Sequence, residues 1–359
     1  MHVGFNLNNR EALIAPGYGV PELMDLGERA EKAGFDSVWV GDSLLSKPRY
    51  EPLVLLAALA QRTQTVLLGT ACLVTTLRHP VQLAQAWSTL DVLSNGRTIL
   101  GACSGNVSED AVKKEFAILR IDRRHRVAIF EEGLKILRAL MTEGCITFHG
   151  EEFSLEDVAF STGMEPAPLL PLQKPPRIWV VANPSIGAQT ARGVSRAAAR
   201  VAELGDGWLT CCRASHPEEV VGFVAELASI RPLEGFDIAY QVTVTLGDTR
   251  ADALAEQRGY IDAYYPGFSD AVHLGDWGPS GTVGTIAAWF RDFRDAGVTT
   301  FICRFASLDQ QGQLERFAGE VLPVIRQSTP SEPREGPVRT PDVDVEVLAG
   351  TVSNEERAS

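Results

Sequence analysis

Apolar and polar positions along this chain follow two alternating rhythms. Phe35 to Val40, Val66 to Thr70 and Thr98 to Cys103 are short, nearly continuous apolar runs, the pattern of strands buried on both faces. Between them, Glu51 to Arg62 and Val81 to Ser94 repeat their apolar residues at helical spacing (Leu55, Leu59; Leu83, Trp87, Leu90). The second of these ends Leu93-Ser94-Asn95-Gly96, with glycine where a left-handed C-cap requires it. Helices alternating with strands predict βαβ units and a parallel sheet. A polar cluster follows each strand between Gly34 and Asn106: Asp42, then Thr75-Thr76 with Arg78-His79, then Ser104-Gly105-Asn106. Carboxyl ends of parallel strands are where α/β folds keep their ligand sites.

The same punctuation returns late in the chain, where Ala33-Gly34-Phe35-Asp36-Ser37-Val38-Trp39-Val40 is echoed by Ala296-Gly297-Val298-Thr299-Thr300-Phe301-Ile302-Cys303. Such units predict strands near residues 2 to 7, 35 to 40, 65 to 70, 97 to 103, 177 to 182, 207 to 211, 237 to 246 and 298 to 303. That set matches an α/β fold of the TIM (β/α)8 barrel type. A doubly wound sheet is the alternative, but it wants an early Gly-x-Gly-x-x-Gly turn, which the sequence lacks. A barrel with insertions over about 144–176 and 260–282 absorbs residues 1–327 as one domain. Residues 328–359 carry four prolines among Ser, Thr, Glu and Arg without a period, which predicts a disordered tail. Val343 to Val352 is apolar enough to dock as an extended strand instead.

A net charge of −13 argues against nucleic acid as a partner, because phosphate backbones need clustered Lys and Arg. Basic residues are scattered apart from Arg120, Arg123, Arg124 and Arg126. No apolar run approaches a membrane span, and the amino terminus enters a strand directly, so the expectation is a soluble cytoplasmic protein. Six cysteines occur without Cys-x-x-Cys spacing, and neither His-Glu-x-x-His nor Gly-x-Ser-x-Gly is present; no metal site or serine hydrolase is predicted. Cys72, Cys103, Cys211, Cys212 and Cys303 fall at predicted strand ends, as core filling or as thiols in the pocket.

Two turns suit phosphate. Asn183-Pro184-Ser185-Ile186-Gly187 follows the fifth strand and opens a helix running to about Leu204, and Ser104-Gly105-Asn106 is a second polar, glycine-containing turn. Ser185 as an N-cap and Asn183 as a turn former account for the same residues.

Gly34 to Asp42, Arg78-His79-Pro80, Leu90 to Arg97, Leu100 to Gly105, Arg126 with Glu132, Phe148-His149-Gly150, Pro175 to Val180 and Gly205-Asp206-Gly207-Trp208 together resemble the bacterial luciferase-like monooxygenase superfamily. The resemblance implies a TIM barrel holding FMN or its 5-deaza analogue, coenzyme F420, at the carboxyl ends of the strands. It implies a non-proline cis peptide at Ala71-Cys72 against the flavin ring. Ser104, Gly105 and Asn106, with Asn183 and Ser185, would hold the ribityl phosphate, and Arg78 and His79 would stand beside the ring. A surface ion pair from Arg78 to Asp91 or another neighbour is the competing account of that arginine. Catalytic candidates are His79, Arg78 and Asp42, with His79 preferred as acid/base because its unperturbed pKa lies near neutrality.

Two departures stand out. Deazaflavin-dependent members commonly follow the strand-two aspartate with histidine, whereas this chain reads Asp42-Ser43. The common Gly-Gly turn after strand five is Asn183-Pro184, and proline supplies no N–H. The resemblance therefore puts first a two-component FMN-dependent monooxygenase, taking reduced FMN from a partner flavin reductase and oxygenating a small organic substrate. The alternatives are an F420-dependent hydride-transfer oxidoreductase and a flavin-binding protein without turnover. Residues 260 to 279, with Tyr260, Tyr264, Tyr265, Phe268, His273 and Trp277, occupy the place of a mobile lid or of a packed loop. Phe148 to Gln173 could line the same mouth, although its Pro-rich end suits a connector. By the same resemblance the expected assembly is a homodimer.

Overall fold

The computed structural model describes residues 1–14, 19–105, 110–164, 167–183, 191–211, 216–264 and 277–327. Asn106, Ser185, Cys212, most of the aromatic segment (265–276) and the whole tail (328–359), with its Val343 to Val352 stretch, lie outside the described residues.

Eight parallel strands form the wall: β1 (His2–Leu7), β2 (Ser37–Val40), β3 (Leu67–Thr70), β5 (Thr98–Cys103), β8 (Ile178–Val181), β9 (Gly207–Thr210), β10 (Asp237–Leu246) and β12 (Thr300–Phe305). They pair in the order β10-β12-β1-β2-β3-β5-β8-β9, and β9 pairs back onto β10 to close the barrel. β4 (Leu73–Val74) pairs with β5, and β11 (Ser280–Gly281) with β10. Between the strands run α1 (Glu11–Ile14), α2 (Val20–Lys32), α3 (Pro52–Arg62), α4 (Pro80–Leu93), α5 (Asp110–Ile118), α6 (Arg126–Glu143), α7 (Ala191–Leu204), α8 (Pro217–Ile230), α9 (Arg250–Tyr264), α10 (Val283–Asp295), α11 (Gln310–Arg316) and α12 (Leu322–Gln327).

Strand side chains alternate across this wall. Val3, Phe5, Val38, Val40, Leu100, Ala102, Ile178, Val180, Phe301 and Cys303 pack outward against the helices. Trp39, Ile99, Trp179, Leu209, Ala239 and Ile302 fill the lumen, with the two indoles stacked at 5.0 Å. Room for them comes from Gly69 and Gly207: a Cβ on the first would lie 2.2 Å from the Trp39 ring, on the second 2.4 Å from Trp179. Beneath the indoles, at the amino ends of the strands, a cavity of about 340 Å³ is lined by His2, Asp36, Arg177, Trp179 and Asp237, among others.

The glycine expected to close the second helical segment, Gly96, has φ +76°, and its N–H donates to the Asp91 carbonyl at 2.8 Å. The last barrel strand runs two residues further than the apolar run suggests. Thr299 N already pairs with the Ile238 carbonyl at 2.9 Å, and the lumen accepts a polar Arg304 beyond Cys303. The first insertion contains an antiparallel hairpin, β6 (Cys145–His149) with β7 (Ser154–Ala159), whose half-exposed alternation the sequence reading passed over. Glu132 fixes its turn, accepting from the N–H groups of Glu151 (2.8 Å), Glu152 (3.0 Å) and Phe153 (3.0 Å). The Pro-rich end beyond it is a connector pinned to the barrel at Leu172 and Gln173.

Candidate active site at the carboxyl ends of the strands

Beyond β3 the Ala71-Cys72 peptide is cis, at the place the resemblance implies. The chain leaves the strand ladder just before it, and the Thr70 side chain takes over the pairing. Its Oγ1 donates to the Gly101 carbonyl at 3.0 Å and accepts from Gly101 N at 3.1 Å. The approach is so close that a Cβ at Gly101 would lie 2.1 Å from the Thr70 carbonyl oxygen. β4 then rejoins β5, and Val74 N donates to Asp42 Oδ2 at 3.0 Å. A small, mostly apolar shelf of Ala71 and Cys72 results, tied to the end of β2, with Leu73 buried behind it in the outer core.

Asp42 also receives Arg78 in a two-pronged pair, Nη1 to Oδ2 at 2.6 Å and Nη2 to Oδ1 at 3.2 Å. Arg78 adds Glu51 Oε1 at 3.1 Å and the Val74 carbonyl at 3.3 Å. Burial by itself would lower the Arg78 pKa, but the bonds to Asp42 and then Glu51 outweigh it and raise it. Arg78 is therefore ion-paired as its competing account allowed, to the neighbours Asp42 and Glu51 and not to Asp91. Asp91 is fully buried elsewhere, accepting from Thr98 Oγ1 (2.6 Å), Gln173 Nε2 (2.6 Å) and the N–H groups of Leu172 (2.7 Å) and Gln173 (3.1 Å).

His79 is the N-cap of α4, its Nδ1 accepting from Val81 N at 3.4 Å, and its ring meets Phe153 edge-on at 5.8 Å. Asn183 Oδ1 accepts from Thr210 Oγ1 (3.1 Å) and Cys211 N (2.8 Å), which ties the end of β8 to β9. The Ser104 carbonyl accepts from Thr76 Oγ1 at 3.4 Å, and Gly105 turns with φ +79°. Asn106 and Ser185, the other two phosphate candidates, lie outside the described residues.

The cysteines divide. Cys303 faces the helices in the core, and burial pushes its thiol far up. Cys72 and Cys103 meet at the shelf; the Cys72 S–H donates to Cys103, and that bond and then burial hold the Cys72 thiol well above its ordinary range. Cys211 is raised by burial against an opposing hydrogen bond from Asn183.

Several site residues escaped the sequence reading, although Asn8-Asn9-Arg10 follows β1 as the recognised clusters follow other strands. Asn9 Nδ2 donates to the carbonyls of Gly41 (2.9 Å) and Tyr50 (2.8 Å), fixing the end of β2. Buried Glu115 holds the next loop, accepting from Leu45 N (2.6 Å) and Ser46 N (2.8 Å). Ser43 Oγ accepts from Lys47 N at 2.9 Å. Tyr260 and Tyr264, assigned from the sequence to a lid or a packed loop, are the buried end of α9, stacked at 5.4 Å. Buried polar atoms without a partner collect on and just beyond β1: Asn6 Oδ1, Asn9 Oδ1, Arg10 Nε and Arg10 Nη1. Such atoms are uncommon in folded proteins, and a bound polar ring or anion would satisfy them. With the apolar shelf opposite, the residues present fit a flavin-type group.

The sequence profile of the luciferase-like monooxygenase family matches residues 1–300. The chain belongs to this family. It is an oxidoreductase, and its cofactor is of flavin type. It is 28% identical over 344 residues to an F420-dependent glucose-6-phosphate dehydrogenase of Kineococcus radiotolerans, covering 87% of this chain and 94% of that one. A protein of the same name from Beutenbergia cavernae is 30% identical over 329 residues, covering 83% and 91%. Among solved structures, a monooxygenase from Streptomyces bottropensis superposes with a TM-score of 0.70 at 23% identity, over 90% of this chain and 99% of that one. An F420-dependent secondary alcohol dehydrogenase, in complex with an F420-acetone adduct, gives 0.71 at 19% identity with the same coverage. These two likenesses speak for the fold alone. Among the described residues no helix is long and apolar enough to cross a membrane.

Proposed function

We propose that this protein is an F420-dependent oxidoreductase that moves a hydride between the deazaflavin and a small organic substrate. The observation that carries this is the near full-length similarity to relatives named F420-dependent glucose-6-phosphate dehydrogenases. It favours the alternative of the sequence reading over FMN-dependent monooxygenation. A deazaflavin supplies a carbon that accepts or releases hydride and, unlike FMN, has no productive reaction with oxygen. The protein's part is to bind, orient and exclude water. Ala71 and Cys72 would form the wall against the ring, with Arg78 and Asp42 bracing it from behind through Val74. Asn183 and the turn of Ser104 and Gly105, with Asn106 and Ser185, would hold the phosphate end. Ser43 stands where histidine is common and is not basic enough to carry a proton near neutral pH. His79 is the candidate to do so through Nε2, because Nδ1 faces the Val81 N–H. On this reading no reductase partner is required, and the expected homodimer is tested by light scattering.

The deciding experiment is anaerobic titration with F420 and with reduced FMN, followed by admission of oxygen. Tight F420 binding without oxygen uptake supports the dehydrogenase. Preference for reduced FMN, with oxygen consumed, overturns it in favour of the monooxygenase.

A further inference from the structure

The chamber of about 340 Å³ beneath the indole plug lies at the opposite end of the barrel from the shelf, and its size is that of a small ligand pocket. Lumen-facing positions at the amino ends of the strands line it. Leu67, Ile99 and the Trp179 ring, all members of the lumen cluster, give it an apolar roof. Arg177 and Asp237 are its charged walls, each two residues before a lumen-filling side chain, Trp179 and Ala239. Between them β9 contributes no side chain. Its first residue, Gly207, is in register with both Trp179 and Asp237, and Trp179 leans across it, Nε1 lying 2.7 Å from where a Gly207 Cβ would stand. The two charges therefore face one space from backbones two strand spacings, or roughly 9–10 Å, apart.

Neither charge closes on the other. Arg177 Nε donates to Gln173 Oε1 at 2.7 Å, but among the described residues neither Arg177 nor Asp237 enters an ion pair. The Trp179 N–H, on a side chain 1% exposed, leans toward Asp237 without reaching hydrogen-bonding geometry and has no other acceptor. Buried donors left open in this way are uncommon. The remaining titratable side chains of the chamber are engaged or uncharged. Asp36 accepts from Val3 N at 2.8 Å and Arg326 Nη2 at 2.9 Å, while His2 is pushed down by burial and meets Ser37 Oγ at 3.1 Å. Burial pulls Arg177 down and pushes Asp237 up, in each case by more than the opposite charge across the chamber restores. Both charges are thus short of compensation.

We infer that this chamber binds a free α-amino acid with a small apolar side chain, its carboxylate on Arg177 and the Trp179 N–H, its ammonium on Asp237 and its side chain under Leu67 and Ile99. A guanidinium and an indole N–H only donate, so the group beside them has to accept, and a guanidinium fork matches the two oxygens of a carboxylate. A carboxylate only accepts when ionised, so the group on Asp237 has to donate. A simple anion would answer Arg177 but add a like charge near Asp237, and a simple amine would do the reverse. A zwitterion answers both at once, and the apolar roof takes what is left of it. The site is separate from the cofactor's, because the stacked indoles stand between chamber and shelf.

The test is calorimetric titration of L-valine into the full chain, beside isovalerate and isobutylamine, which carry the same apolar group with only one of the two charges. The wild type is compared with Arg177→Gln, Arg177→Lys and Asp237→Asn at neutral pH. Expected is saturable L-valine binding, about tenfold or more tighter than either singly charged compound. It should weaken about tenfold or more in Arg177→Gln and in Asp237→Asn and be partly retained in Arg177→Lys. No saturation by L-valine at about 10 mM would overturn the inference. Isovalerate binding as tightly as L-valine would also overturn it, since Asp237 would then take no part. So would binding untouched by Arg177→Gln and Asp237→Asn, which would put the amino acid elsewhere. Melting temperatures separate loss of the site from loss of the fold; because Arg177 also holds Gln173, Arg177→Lys and Asp237→Asn carry the test if Arg177→Gln melts early.

Discussion

Removing Asp42 tests whether the shelf is held from behind. Its side chain is 6% exposed, and it accepts two bonds from Arg78 and one from Val74 N. Deleting one member of a buried ion pair typically costs about 3–5 kcal/mol, because the other is left unanswered. Here Arg78 is 23% exposed and keeps Glu51, which moves the expectation to the low end. Asp42→Ala should therefore lose about 3 kcal/mol, through the Arg78 pair and the freed Val74 N–H. Arg78→Ala should lose about 2 kcal/mol, since Asp42 retains Val74 N. The double variant should fall short of the sum by about 1–2 kcal/mol, the coupling of groups in direct contact. Urea denaturation followed by tryptophan fluorescence measures all three. Because Val74 anchors the end of the shelf through Asp42, F420 affinity should drop about tenfold in Asp42→Ala, equivalent to about 1.4 kcal/mol. A coupling below about 0.5 kcal/mol, or full F420 affinity in Asp42→Ala, would refute the bracing role.

Gly101→Ala should yield little soluble protein, because the added methyl would lie 2.1 Å from the Thr70 carbonyl oxygen; normal expression and melting temperature would contradict the close approach. Glu31 caps the start of the β3 loop through Gln64, Thr65 and Val66 N–H groups, and these bonds outweigh the upward push of burial, so its pKa is lowered. Its stabilisation is then present above the unfolded value of about 4.3 and lost as pH falls through the folded one. Glu31→Gln should cost about 1 kcal/mol at neutral pH after solvent screening, and nothing in strong acid, as read from urea midpoints against pH. His2 is pushed down, by burial before any charge, and meets Ser37 Oγ at 3.1 Å. Stability should consequently fall as pH drops below about 6.5 toward the folded pKa, and His2→Gln should flatten that slope. Exposed Cys145 should alkylate before Cys72 and Cys303, whose thiols are pushed upward; peptide mapping by mass spectrometry would show the order.

The barrel was legible because a parallel strand buried on both faces writes a continuous apolar run, as at Thr98 to Cys103, and because Gly96 sits where only a left-handed cap fits. The hairpin of residues 145–159 was not, since its half-exposed alternation over five or six residues carries little signal beside a long helix. In the site, Asp42 and Arg78 could be placed because local motifs mark them, and the Ala71-Cys72 peptide because the family resemblance implies it. The bond from Asn9 to the Gly41 carbonyl joins positions 32 apart, and the bond from Glu115 to Leu45 N joins positions 70 apart. Contacts of that kind depend on barrel closure, which no local pattern encodes. The Arg49–Tyr264 bond spans 215 residues and belongs to the same class.

The stacked indoles of Trp39 and Trp179 also give the molecule an internal optical instrument. Rings 5.0 Å apart with an interplanar angle of 25°, each at most 1% exposed, are close enough for excitonic coupling and shielded from external quenchers. They plug the lumen between the lower chamber and the cofactor shelf, so an isoalloxazine-type ring seated above them would lie within range of resonance energy transfer. Occupancy of the site would thus be recorded as quenched emission from the barrel's own core, without a label and without turnover.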